Sequence, residues 1–255
     1  MKWILQKNLY TEEDDFKIIK EIFEKFSISY IEVDVCNGKL IPDPDIIDKD
    51  DIMILGGYSL MRYAKNNNLQ PGCYVDNMNM EAWISNYGDN MLNYDSKIIK
   101  ISEVDEPGYF FVRPEKDSKE FSGKTFNNQE DFNQFREDLI STSAICDENT
   151  VVIVSSVKCI HREVRFFIVN GKIVSASVYK INGQMRTSPI INDDEIDFVN
   201  NMISLYQPTK AFVMDIAYTD EGLKIVELNC INCSGFYEAN IQKIIMELNY
   251  IEDGE

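Results

Sequence analysis

The sequence is poor in histidine, in basic residues and in long apolar runs. His161 is the single histidine among 255 residues, which excludes a three-histidine zinc site and the two-histidine motif of a metalloprotease. It also argues against a Ser-His-Asp hydrolase, because the sequence has no Gly-x-Ser-x-Gly motif. We interpret His161 as a residue at the edge of a strand rather than as a general base.

Basic residues are outnumbered by acidic ones, 25 against 43, which gives a formal net charge of -18. A protein that binds nucleic acid in bulk needs a basic surface, so the charge argues against such a partner, although it permits a small basic pocket. No apolar run approaches the length of a membrane span, and the run near the N-terminus is too short for a secretory signal. We therefore expect no membrane association.

The six cysteines are scattered along the chain. Cys230 and Cys233 have CxxC spacing, but no second pair completes a zinc site. In the absence of a secretory signal, this usage predicts reduced thiols in a cytoplasmic protein.

Hydrophobic residues make up 44% of the chain, and its length allows one large or two ordinary domains. In the first hundred residues, apolar strands at 2–6, 29–35 and 52–55 alternate with amphipathic helices, which predicts an α/β domain with a partly parallel sheet. The charged segment 103–108 contains a Pro-Gly pair and is the predicted boundary. The predicted domains are therefore 1–106 and 107–255.

The second domain is predicted to begin with a strand at 109–114 that ends in Arg113-Pro114. A polar loop follows at 115–124. Arginine offers a fork of donors and lysine a mobile charge, so this segment is a candidate phosphate cradle. The alternative is a solvated turn with surface ion pairs. A helix at 129–140 and a strong strand at 150–157 come next.

Asn170-Gly171, the preferred pair for a type I′ turn, predicts a hairpin between strands 162–169 and 172–180. Glu163 and Arg165 are two residues apart and should point to one face. They form either a surface ion pair worth little or part of a cleft. The segment 182–189 is predicted as a flexible loop that contains Arg186, and helices are predicted at 193–205 and 237–248.

The last predicted hairpin pairs strands 211–218 and 223–228 across a turn at 219–222. Asp215 interrupts an apolar strand, and an unpaired carboxylate buried there would cost several kcal/mol or change its pKa. Across an antiparallel pair, Asp215 and Glu227 can face the same side, and Asn229 follows. Such oxygen donors suit Mg²⁺. The alternative is that Asp215 is a satisfied polar group and Glu227 a solvated one.

The order of these segments resembles the ATP-grasp superfamily over residues 107–248. The segments are YFFVRP with its polar loop, VVIVSSV, EVRFFIVNGKIVSASVYK, and MDIA with VELN. The resemblance implies a mixed α+β and α/β protein, with two α+β lobes around an ATP cleft and a small α/β domain before them. Arg113 stands where the family usually has lysine, which resembles a phage-associated clade with two arginines and a lysine in the nucleotide pocket.

The resemblance also implies roles for individual residues. It places Arg113, Arg165 and Lys119 as the cationic trio, with Lys116 and Lys124 competing for the lysine position. It implies nucleotide contacts from Arg113, Lys119, Ser155, Val157, Glu163 and Arg165. It implies catalytic roles for Arg113, Arg165 and Arg186. It implies Mg²⁺ binding by Asp215, Glu227 and Asn229.

The implied activity is ATP-dependent ligation. A substrate carboxylate attacks the γ-phosphate of Mg-ATP, and an amine then displaces phosphate from the acylphosphate to give an amide. The partners would be a carboxylate-bearing small molecule or peptide and an amine acceptor, in the cytoplasm, or in the host cytoplasm if the chain is phage-encoded. The sequence indicates no oligomeric state. The alternative is an ATP-binding assembly factor that grips a protein without ligating it, as in the cell-division-cycle ATP-grasp family; a kinase-like phosphotransferase is a third hypothesis.

Overall fold

The computed structural model of the chain describes residues 1–7, 13–44, 48–115, 121–143 and 145–251. Within these ranges, no helix is both long enough and apolar enough to cross a membrane. The described residues form three sheets and six α-helices.

The first sheet is the N-terminal one and is mainly parallel. Its strands are β1 (Lys2–Gln6), β2 (Ser29–Cys36), β3 (Lys39–Ile41), β4 (Ile52–Leu55) and β5 (Pro71–Gly72). They lie in the order β3-β2-β1-β4-β5, with β1 parallel to β2 and β4, and β3 antiparallel to β2. Helices α1 (Glu13–Lys25) and α2 (Tyr58–Asn66) make the crossovers that parallel strands require. The predicted α/β series is confirmed.

The other two sheets are antiparallel. The four-stranded sheet, in the order β6-β9-β7-β8, contains β6 (Lys97–Lys100), β7 (Phe110–Pro114), β8 (Lys124–Phe126) and β9 (Val151–Ser156). The central sheet, in the order β12-β11-β10-β13-β14, contains β10 (Ile160–Val169), β11 (Lys172–Ile181), β12 (Gln184–Ser188), β13 (Ala211–Thr219) and β14 (Gly222–Asn229). The remaining helices are α3 (Met80–Tyr87), α4 (Gln129–Thr142), α5 (Asp193–Leu205) and α6 (Ile241–Asn249).

The central sheet is covered differently on its two faces. Phe166, Met214 and their neighbours pack on one face against α3 and α5. On the other face, Phe167 and Val213 belong to a core shared with α1, α6 and the first sheet. Along the strands, this second face changes from apolar to polar within two residues, at Arg165 and Asp215. The change marks the point where the packed core ends and the cleft described below begins.

One segment predicted as a loop forms a strand. The segment 182–189 contains β12, because Asn182 and Gly183 adopt positive φ values of 48° and 75° and close a second hairpin. The prediction of a loop was wrong there. In the predicted loop 115–124, residues 116–120 lie outside the described residues, residues 121–123 belong to no strand, and β8 begins at Lys124, which pairs with Val112.

The predicted domain boundary at residue 106 stays a prediction. Strand β6 precedes this boundary, yet it pairs with β9 of the four-stranded sheet. Helix α3 also precedes it and packs on the central sheet. The last helix begins at Ile241 rather than at 237, since Tyr237 has φ 53° and the Asn240 side chain caps the helix.

Asn232 joins the first sheet to the segment that follows β14. Its side chain is 1% exposed. The side chain donates to the Ile54 carbonyl (2.9 Å) and accepts from the Tyr74 backbone N–H (3.0 Å). The backbone carbonyl of Asn232 accepts from the Gly56 N–H (3.0 Å). These bonds satisfy backbone groups that would otherwise be buried without partners.

We expect Asn232→Ala to lower the free energy of unfolding by about 2–5 kcal/mol, because it leaves a buried carbonyl and a buried N–H unsatisfied. Urea unfolding would measure the loss. Asn86→Ala is the control, since Asn86 makes one exposed hydrogen bond within its own helix. Equal stability of the two variants would contradict the role of Asn232 as a junction.

Candidate active site

A cleft of about 550 Å³ lies between β7 of the four-stranded sheet and the polar half of the central sheet. Phe111, Arg113 and Gly123 line one side, and Arg165 and Asp215 lie on the other. Gly123 approaches Phe111 so closely that a Cβ atom would lie 2.5 Å from its ring. A side chain at position 123 would therefore have to displace that ring.

A buried ion pair forms the floor of the cleft. Arg165 Nε donates to Asp215 Oδ1 at 2.9 Å, and Nη2 donates to Oδ2 at 2.7 Å, in the two-pronged geometry that suits arginine. Asp215 is 1% exposed. Burial raises the pKa of its carboxyl above the usual range, against the opposing effect of Arg165. Asp215 is therefore a paired group, and Arg165 compensates its charge.

Glu227 and Asn229 extend this pair toward the four-stranded sheet. Arg113 Nη1 donates to Glu227 Oε2 at 3.0 Å, which links β7 to β14. The Asn229 amide donates to Asp215 Oδ2 at 3.2 Å and to Glu227 Oε1 at 3.1 Å. One amide group thus reaches an oxygen of each carboxylate, so the two carboxylates face a common point.

A bulge in β14 brings the two carboxylates to the same face. From the turn, the strands pair in simple register as far as Ile216 with Ile225, and then Asp215 pairs with Glu227. Val226 is the extra residue. If β14 had no bulge, Asp215 would pair with Val226. Glu227 would then lie on the opposite face of the sheet, because side chains alternate along a strand. The prediction that Asp215 and Glu227 share a face is confirmed, and the bulge is its physical cause.

Glu163 lies at the cleft edge with two partners that the sequence analysis did not single out. Its carboxylate accepts from Tyr179 Oη at 2.8 Å and pairs with Lys180 Nζ at 3.0 Å. Burial, together with the carboxylates of Asp215 and Glu163, raises the pKa of Tyr179. Tyr179 therefore stays protonated and donates to Glu163.

Arg165 is also enclosed by two aromatic rings. Its guanidinium carbon lies 5.5 Å from the Tyr179 centroid and 5.3 Å from the Tyr237 centroid. Burial disfavours the guanidinium charge, but Asp215 outweighs burial, and the pKa of Arg165 is raised. The side chain thus remains charged, with its orientation fixed by a carboxylate and two rings.

Several of the predicted site residues do not line the cleft. Arg186 is exposed on β12 and does not line the cleft, although its neighbour Met185 does. Ser155 is buried and bonds Asn93 at 3.1 Å. Val157 lines a separate pocket of about 240 Å³.

The predicted lysines divide into two groups. Lys116 and Lys119 lie outside the described residues. Lys124 is described and lies over the rings of Phe126 and Phe135, at 5.5 and 5.0 Å from their centroids. Lys180 is the one lysine among the described residues that line the cleft. The roles of all these residues stay predictions.

Solved structures with a similar fold include D-alanine–D-alanine ligase from Bacillus anthracis, with a TM-score of 0.62 and 13% identity over 97% of this chain and 92% of that one. The ATP-grasp ligase PsnB, complexed with a minimal precursor, gives a TM-score of 0.57 and 13% identity over 96% and 98%. A RimK domain protein ATP-grasp from Sphaerobacter thermophilus DSM 20745 gives 0.62 and 11% over 98% and 99%. At these identities the likeness shows a shared fold.

No curated protein matches the sequence. The family described as ATP-grasp domain, R2K clade family 3, matches residues 43–248, which is most of the chain. This match begins well before residue 107, where the resemblance seen in the sequence begins. The expected ATP-grasp fold is therefore confirmed, and the chain belongs to the R2K clade of the ATP-grasp family.

Proposed function

We propose that this protein is an ATP-dependent carboxylate–amine ligase that works through an acylphosphate with Mg-ATP. The observation that carries the proposal is the convergence of two guanidinium groups, two carboxylates and one amide in a single cleft between two sheets. They belong to Arg113, Arg165, Asp215, Glu227 and Asn229. Such a set holds charged phosphates and provides no side-chain nucleophile, which phosphoryl transfer does not need.

The two arginines would act on the nucleotide by charge and orientation. Each guanidinium carries five N–H donors, and the contact of Arg113 with Glu227 is made through Nη1. Because the second side of the guanidinium fork suits phosphate oxygens, Arg113 would use it to hold a phosphate in the cleft. Arg165 would supply a fixed positive charge from its floor.

The residues present fit a magnesium ion. Asp215, Glu227 and Asn229 offer hard oxygen donors, and the Asn229 amide nitrogen lies within 3.2 Å of one oxygen on each carboxylate. These three residues would hold the ion, with phosphate oxygens as further ligands. Bound there, Mg²⁺ would neutralise charge that develops on the transferred phosphoryl group.

The proposed reaction has two steps. A substrate carboxylate oxygen attacks the γ-phosphorus, the bond to the bridging oxygen breaks, and ADP leaves. The amine nitrogen then attacks the acyl carbon, the bond to phosphate oxygen breaks, and the amine loses a proton. In both steps negative charge builds on phosphoryl oxygens, and Arg113 and Arg165 would stabilise that charge.

Product analysis distinguishes this proposal from an assembly factor or a kinase-like phosphotransferase. ADP release would be measured across candidate carboxylates and amines, and the products identified by mass spectrometry. An amide product supports the ligase. Binding of ATP without turnover supports the assembly factor, and a stable phosphorylated product supports the phosphotransferase.

We expect Mg-ATP to stabilise the protein against heat. At a free concentration of about a hundred times Kd, linkage adds about 2.7 kcal/mol, which corresponds to a Tm rise of about 5–10 °C for a chain of this size. Differential scanning fluorimetry with ATP, ADP and a non-hydrolysable analogue measures the shift. If no nucleotide shifts Tm, the proposal fails.

Replacements of the two carboxylates should differ in their effect on the ligand-free protein. Asp215→Asn leaves Arg165 unpaired in a buried site, so we expect a loss of about 3–5 kcal/mol in the free energy of unfolding. Glu227 is 29% exposed, so Glu227→Gln should change stability by about 0–1 kcal/mol. Urea unfolding compares the two.

With substrates, both carboxylate variants should bind Mg-ATP more weakly and turn over about 10²–10³-fold more slowly. Calorimetry of Mg-ATP binding and the rate of ADP release measure these effects. Unchanged Mg-ATP affinity in the stable Glu227→Gln variant would remove Glu227 from the proposed metal site.

Arg113→Met keeps the apolar stem of the side chain and deletes its charge. We expect weaker ATP binding and a ligand-free Tm close to that of the wild type. Arg62→Met is the matched control, since Arg62 is exposed on α2 and does not line the cleft. Unchanged ATP binding in Arg113→Met would remove Arg113 from the proposed nucleotide site.

A further inference from the structure

Three potential metal ligands meet at the end of the central sheet, away from the cleft. Cys159 ends the connection between β9 and β10, His161 is the second residue of β10, and Asp220 lies in the turn between β13 and β14. The cysteine sulfur, an imidazole nitrogen and a carboxylate oxygen all lie within 4.8 Å of one another. His161 Nε2 and Asp220 Oδ1 are 2.6 Å apart.

A bulge in β10 lies at His161, one of these three ligands. Ile160 pairs with Thr219 and Arg162 pairs with Tyr218, so His161 is an extra residue between two ordinary pairs. Bulges redirect side chains and are frequent at strand ends that carry function. Here the bulge directs His161 toward the β13–β14 turn.

The backbone around the three side chains is held by hydrogen bonds. Thr219 Oγ1 donates to the Gly222 carbonyl at 2.8 Å and accepts from the Glu221 N–H at 3.1 Å, which fixes the turn that carries Asp220. The His161 carbonyl accepts from the Asn182 N–H at 2.8 Å. His161 and Asp220 thus project from backbone positions held by hydrogen bonds and need little reordering to bind an ion.

We infer that Cys159, His161 and Asp220 bind a zinc ion, with water as a fourth ligand. A thiolate, an imidazole and a carboxylate are the three donor types that tetrahedral Zn²⁺ accepts. Zinc bond lengths of about 2.0–2.3 Å correspond to distances of about 3.3–3.8 Å between ligand atoms. The group, already within 4.8 Å, reaches this geometry by shifts of about 1 Å.

The surroundings admit a cation. The side chains of His161 and Asp220 are 45% and 72% exposed, so an ion reaches them from solvent. Two lysines line the pocket of about 240 Å³ that also contains Val157, and both have other partners. Lys158 pairs with Asp95 at 3.1 Å, and Lys224 donates to the Asp89 carbonyl at 2.8 Å. The sulfur ligand separates this site from the proposed magnesium site, whose donors are all oxygen.

The ion would connect two parts of the chain. Residues 157–159 link β9 of the four-stranded sheet to β10 of the central sheet. Zinc would tie the end of this link to the turn of the hairpin that carries Asp215 and Glu227. The site therefore restrains the end of this link without taking part in the proposed chemistry.

The test uses the full-length, reduced protein after treatment with a chelator. Equilibrium dialysis against Zn²⁺ with metal analysis measures stoichiometry and affinity, and Co²⁺ substitution reports a thiolate charge-transfer band. We expect one site that excess Mg²⁺ does not displace. Cys159→Ser, His161→Gln and Asp220→Asn should each weaken binding by more than the roughly 10–100-fold that loss of an outer-shell partner costs.

Cys36→Ser is the matched control, since Cys36 is another exposed free cysteine. It should retain full zinc binding and the cobalt–thiolate band. Equal zinc affinity in the wild type, Cys159→Ser and His161→Gln would overturn the inference. Displacement by Mg²⁺, or cobalt binding without a thiolate band, would do the same.

Discussion

The ion pair between Arg165 and Asp215 is the interaction on which the candidate site depends. A carboxylate with 1% exposure can remain charged only beside a partner, and Arg165 meets it with two hydrogen bonds. From this pair the contacts continue through the Asn229 amide to Glu227 and then to Arg113 on the opposite sheet. The floor and both walls of the cleft are therefore joined by one chain of hydrogen-bonded charged and polar side chains.

Irregular strand pairing places these charges. The bulge at Val226 brings Glu227 opposite Asp215. Two further register shifts between β10 and β11 bring Glu163 opposite Lys180, where an uninterrupted two-residue hairpin would pair Glu163 with Val178. A fourth irregularity directs His161 toward Asp220. Without the bulge at Val226, Glu227 would lie on the opposite face from Asp215, so strand irregularities shape the site together with the residue types.

The core shared with the first sheet borders the cleft. Apolar residues of β1, α1 and α6 form one core with Phe167 and Val213, on the same face of the central sheet that carries Arg165 and Asp215. Asn232, three residues beyond the Asn229 amide, bonds to backbone groups of the first sheet. The segment that follows Asn229 is thus fixed to the first sheet. A movement of the first sheet would therefore shift the position of Asn229.

The sequence by itself determined the strands at 2–6 and 52–55, the helix at 193–205, and the hairpin at Asn170-Gly171. These elements follow from local chemistry, namely apolar periodicity, capping residues and a turn pair that favours positive φ. It also singled out Asp215, because charge in an apolar strand demands a partner, and Glu227 and Arg165, because of their positions on neighbouring strands. Only the tertiary structure decided that Arg165 is the partner of Asp215 and that Arg186 lies outside the cleft. It also decided that Tyr179 and Lys180 bind the Glu163 carboxylate. The reason is physical: single-residue bulges and the pairing of distant strands set which side chains meet, and neither leaves a periodic trace in the sequence.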